Sequence, residues 1–134
     1  MKGLLVGCAV AIAAAIAAPV HAHHSAAGID RTKSVTIVGT VKQFKWANPH
    51  SWMELEVPND KGGVDIWNIE MMPPSFLVKA GWKSSTVKPG DKVNLVVRPF
   101  RNGDPGGLFV SITLPSGQVL DQQSPLPGQT PAAP

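Results

Sequence analysis

The chain has 134 residues, a net charge of +3, one cysteine and four histidines. That length holds one domain and not two. The basic residues are scattered from Arg31 to Arg101 without forming a run or stripe, so composition argues against nucleic acid as a partner.

Lys2 precedes an uncharged run from Gly3 to Ala18, rich in Leu, Val, Ile and Ala, and Val20 and Ala22 then occupy the −3 and −1 positions of a small-residue cleavage site. A basic start, an apolar middle and this ending predict a cleaved Sec-type signal peptide over residues 1–22 and a periplasmic or secreted product. The run is short for a membrane span and no stop-transfer charges follow it, so no span is expected after processing. Leu5-Val6-Gly7-Cys8 superficially resembles a lipoprotein box but comes before most of the apolar stretch. The cysteine therefore leaves with the leader, and a soft-metal site in the mature protein must use His or Met.

A cut after Ala22 makes His23 the first residue of the mature chain. A free α-amine and the Nδ1 of the same histidine close one chelate ring on a metal. A further imidazole completes a T-shaped three-nitrogen site, an arrangement suited to Cu(II). Outside the leader and this junction the chain has one histidine, His50, which becomes the natural third arm. His24 competes with His23, because an imidazole in second position binds Cu(II) together with the amine and a deprotonated backbone nitrogen. The expected metal ligands are thus His23, His24 and His50, with copper as the cofactor.

Ala26 to Lys33 reads as a polar entry segment. Val35 to Trp46 reads as a long strand whose Gly39 marks a bulge or sharp bend. Asn48-Pro49 is a turn signal with His50 at the mouth of the next strand. From Ser51 to Val57, Met53, Leu55 and Val57 alternate with Trp52, Glu54 and Glu56. PNDKGG at 58–63 is a hairpin connection to a strand from Val64 to Glu70. Pro73-Pro74 opens a short helix, Ser75 to Ala80, which Gly81 stops. Lys88-Pro89-Gly90-Asp91 is a tight turn leading to a fourth strand that sends Val93, Leu95 and Val97 inward. Arg101 to Gly107 reads as a loop, and Leu108, Val110, Ile112 and Leu114 alternate along a fifth strand. From Asp121 the chain has little to bury and reads as a disordered Pro-rich tail over 121–134.

Five strands with one short helix between the third and fourth predict an all-β domain over 23–120. The expected architecture is a five-stranded OB-like Greek-key barrel, with an open five-stranded β-sandwich as the alternative.

HHSAAGIDR at 23–31, NPHSW at 48–52, the Gly81-Trp82 pair and KPGDKV at 88–93 together resemble a family of small exported bacterial proteins. That family is catalogued as a domain of unknown function, so the resemblance brings relatives and no activity. Relatives often carry aromatics where this chain has Ala26 and Ile29, which implies a different ligand choice if those positions line a site.

Met53, Met71 and Met72 read as core or helix-contact residues rather than Cu(I) ligands. Trp52, Glu54 and Trp82 form a possible ligand face, since exposed aromatics on a barrel of this kind stack sugars or bases. Glu54 and Glu70 act as an acid–base pair only if they converge. There is no nucleophile elbow, P-loop, Rossmann glycine pattern or haem-attachment motif. The sequence therefore points to an exported barrel that binds a metal ion or small ligand without turning it over. Its alternatives are a metal-free binding or interaction module using the Trp-bearing face, and a copper-dependent oxidase or monooxygenase. No protein partner is indicated.

Overall fold

Alternating side chains and well-placed turns build a closed β-barrel, with residues 26–123 described by the computed structural model. The strands are β1 (Val35–Lys45), β2 (Trp52–Pro58), β3 (Val64–Glu70), β4 (Lys92–Pro99), β5 (Gly106–Thr113) and β6 (Val119–Asp121), with α1 (Pro74–Lys79) between β3 and β4. β1 is long enough to serve two neighbours, pairing with β4 over residues 35–40 and with β2 over residues 40–45. β2 pairs with β3 through the expected hairpin and β4 with β5, all antiparallel. A parallel pairing of Asn68, Ile69 and Glu70 on β3 with Gly106, Gly107 and Leu108 on β5 closes the cycle. That closure excludes the open five-stranded sandwich and leaves a five-stranded barrel with one extra strand.

The seam depends on glycine. Gly106 has φ of 148°, and a Cβ on it would lie 2.4 Å from the Asn68 carbonyl oxygen; one on Gly107 would lie 2.1 Å from that of Arg98. Only residues without a side chain let β3, β4 and β5 approach this closely. The segment expected as loop up to Gly107 is therefore strand from Gly106 onward.

Inward residues of the barrel strands fill the interior: Val41, Met53, Leu55, Ile69, Val93, Leu95, Val97, Phe109 and Ile112 are all buried. Burying each such aliphatic or aromatic side chain contributes roughly 1.5–3 kcal/mol relative to leaving it in water. α1 closes one end of the core, with Leu77 fully buried on its inner side. Its prolines precede or open the first turn, where a missing N–H leaves no hydrogen bond unmade.

Three strand-level expectations need correction. The irregularity in β1 lies between Val41 and Gln43, not at Gly39; Gly39 serves close packing instead, since a Cβ there would meet the Glu56 carbonyl oxygen at 2.9 Å. The backbone of Val41 turns to the 88–91 loop, donating to the Asp91 carbonyl and accepting from Gly90 N–H. In β5 a bulge skips Val110, so that Val96 faces Ser111 while Val97 faces Phe109. The extra residue switches the inward set, and Phe109 and Ile112 are buried where Leu108 and Val110 are half-exposed. Finally, the chain does not leave the barrel at Asp121. Val119–Asp121 pairs with Ser111–Thr113, and the Gln122 side chain accepts from Met72 N–H and donates to the Phe109 carbonyl, at 3.0 and 2.8 Å. Residues 124–134 of the expected tail lie outside the described residues.

The entry segment is pinned to the β4–β5 connection. Ile29 bridges to Phe100, Asp30 N–H donates to the Pro99 carbonyl, and Arg101 donates from its backbone to Gly28 and from Nε to Ile29. Asp30 in turn accepts from the Thr32 hydroxyl and Thr32 N–H, and these two bonds hold its carboxyl below the usual range.

Candidate functional site

Antiparallel register builds one end of the outer barrel face. Lys45 on β1 lies opposite Trp52 on β2, and Trp52 opposite Glu70 on β3, which neighbours Leu108 on β5. Residues directly opposite on adjacent strands share a face, so Lys45, Trp52 and Glu70 form a row across three strands. Met53 and Ile69, the next pair along, point the other way and are fully buried.

His50 stands above this row. The chain leaves β1, turns through Asn48 and Pro49 across a cis peptide bond, and returns at His50 and Ser51. Ser51 already belongs to the β2–β3 ladder, donating to the Met72 carbonyl and accepting from Met71 N–H. His50 is thus anchored from behind by hydrogen-bonded strand. Its Nδ1 meets Oε1 of Glu70. A carboxylate can only accept, so Nδ1 is the donor of this bond and Nε2 is the ring nitrogen it leaves uncommitted. The imidazole is 45% exposed while the Glu70 side chain is 7% exposed. A buried carboxylate thus holds a half-open ring in one orientation.

Beside His50 is a hollow of about 200 Å³ lined by Lys45, Ala47, Asn48, Pro49, His50 and Trp52. A second, of about 180 Å³, lies by β5 and the residues that follow β6, lined by Arg98, Leu108, Phe109, Val110, Gln122 and Gln123. The first collects the residues with ligand chemistry.

Of the expected metal ligands, His50 is paired with Glu70, whereas His23 and His24 lie outside the described residues. Among the described residues no group of three or more His, Cys, Asp or Glu side chains comes together; this part of the chain supplies one imidazole with its carboxylate partner. The expected ligand face divides. Trp52 is half-buried beside His50 and lines the hollow. Glu54 points outward but is engaged by Lys42 at 3.3 Å and does not line the hollow. Trp82 is not on a face at all: it is 1% exposed, its ring packs against Phe44 and Phe109, and its Nε1–H donates to the Asp121 carbonyl. Helix α1 followed by Gly81 turns it into the core. Met53 and Met71 are buried in the core as expected. Glu54 and Glu70 have different partners, Lys42 and His50, and form no acid–base pair.

Sequence reasoning missed two members of the site, Glu70 as the partner of His50 and Lys45 on the rim. The hairpin offered a signal for the first. Its register sets Trp52 against Glu70, which puts residue 50 diagonal to residue 70, within reach of a long side chain.

Compared with known proteins, residues 10–110 match the model of a family of unknown function, DUF6152. No curated protein and no solved structure matches the chain.

Proposed function

Because the chain belongs to DUF6152, a family described without an activity, we propose from its residues alone that it is an exported barrel that binds copper through His50 and its own mature amino terminus. The observation that carries this reading is the Glu70 carboxylate on Nδ1 of the half-exposed His50, which leaves Nε2 as the nitrogen available to a metal. A carboxylate behind a histidine is the usual second shell of a metal-bound imidazole: it fixes the tautomer and raises the basicity of the coordinating nitrogen. The α-amine and imidazole of His23 supply the other two nitrogens of a Cu(II) site, with His24 as a competing donor.

The test uses exported protein whose amino terminus has been established by mass spectrometry. Cu(II) titration followed by electron paramagnetic resonance should show a nitrogen-rich signal that loses one nitrogen in His50→Ala. The same signal should collapse when a Gly-Ala extension displaces the α-amine from His23. A signal unchanged by His50→Ala, with the barrel folded, overturns the proposal.

The strand cycle, with its helix between β3 and β4, supports an OB-like reading of the barrel. Trp52 in the hollow favours a second function, a metal-free binding module on the Trp-bearing face.

A further inference from the structure

The hollow beside His50 has a size, a wall and a charge, and together they define what fits it. Its volume is about 200 Å³; a cavity of roughly 150 Å³ accommodates benzene, so there is room for one six-membered ring. Its lining is largely apolar, with Trp52, Pro49 and Ala47 beside Lys45. Aromatic and sugar rings both stack on such a surface.

Charge then selects among rings. Trp52 lies in register between Lys45 on one side and Glu70 on the other. Glu70 is buried and committed to His50, and Glu54, the next outward residue along β2, is committed to Lys42. Among the described residues, ion pairs are made by Lys33, Lys42, Lys88 and His50. Lys45 is exposed at the rim and is in none of them. The hollow therefore presents an ammonium whose neighbouring carboxylates are already engaged. Asn48 and His50 are the other polar residues of its lining.

We infer that this hollow binds a monocyclic carboxylate, its ring stacked on Trp52 and its carboxylate held by the Lys45 ammonium. A charge-assisted hydrogen bond of this kind orients the ring as well as holding it. His50, which lines the same hollow, adds a polar group beside the ring. Aromatic acids and uronic acids share this chemistry. The inference rests on the Trp-face reading and requires no copper.

Mature protein stripped of metal and dialysed free of chelator is titrated with benzoate and with galacturonate. Benzyl alcohol and methyl galactoside serve as the uncharged counterparts. The Trp52 indole N–H and the His50 ring are followed by nuclear magnetic resonance. At least one of the two acids should shift both signals, and whichever does identifies the ring type. Its uncharged counterpart should bind about ten-fold or more weakly, and Lys45→Gln should weaken the acid by a similar factor. Lys42→Gln, which removes a cation already paired with Glu54, should leave the affinity unchanged. The inference is overturned if neither acid moves the Trp52 signal, or if Lys45→Gln binds the acid as tightly as the parent. Since no copper is present in this titration, its failure leaves the metal reading standing, and failure of the paramagnetic resonance experiment leaves this one standing.

Discussion

A glutamate whose side chain is only 7% exposed on the outer face of a barrel, as Glu70 is, carries a desolvation cost that a good partner must offset. His50 is that partner, and the pairing has a chemical consequence beyond stability: it decides which ring nitrogen is free. Glu70→Gln keeps an oxygen able to accept from Nδ1–H but removes the charge. Cu(II) affinity, measured by competition with a chelator of known strength, should then fall by about 10-fold or more. An unchanged affinity would separate Glu70 from metal binding altogether. His50 stood out in the sequence because it follows Asn48-Pro49 and is isolated from the other histidines. Its partner did not, because nothing in the composition of β3 distinguishes Glu70 from a solvent-facing glutamate at a strand end. Only the register of the hairpin separates the two. Trp82 was misread for a related reason. A tryptophan after a helix-stopping glycine has no periodicity to assign it a side, and only α1 packing on the barrel settles that it points inward.

At the scale of elements, period-two alternation made β2 and the inward set of β4 readable. It failed where one residue was inserted into the ladder. The Val110 bulge exchanges Leu108 and Val110 for Phe109 in the core, and a strand with an extra residue looks no different in sequence from a regular one. β6 escaped notice because three residues are too few to show any pattern, and polar Asp121 and Gln122 follow Leu120. Yet this short segment is bonded to three parts of the fold: Asp121 accepts from the Trp82 indole, and Gln122 bridges Met72 and Phe109. Gln122→Ala removes both side-chain bonds and leaves a backbone donor and acceptor without them. Urea denaturation should show a loss of about 1–3 kcal/mol. A change within about 0.5 kcal/mol, the range of ordinary surface substitutions, would mean that β6 only lies against the barrel.

For the whole molecule, the decisive event is closure of β3 on β5. Sequence reasoning reached a barrel from element order, but the closing pair of glycines read as loop, since Gly106 and Gly107 follow Asp104 and Pro105. Gly107→Ala tests the seam. Its Cβ would press on the Arg98 carbonyl, so β4 and β5 must separate or the β3 pairing must yield. The expected cost is about 3 kcal/mol or more, read as a lower denaturation midpoint; an unaltered midpoint would mean that the seam relaxes freely. The closed barrel is solid, with Trp82, Phe109, Met53 and Leu55 occupying its middle. A ligand bound as proposed would therefore sit on the outer surface beside Trp52 and His50 and could exchange with solvent while this packed interior stays unchanged.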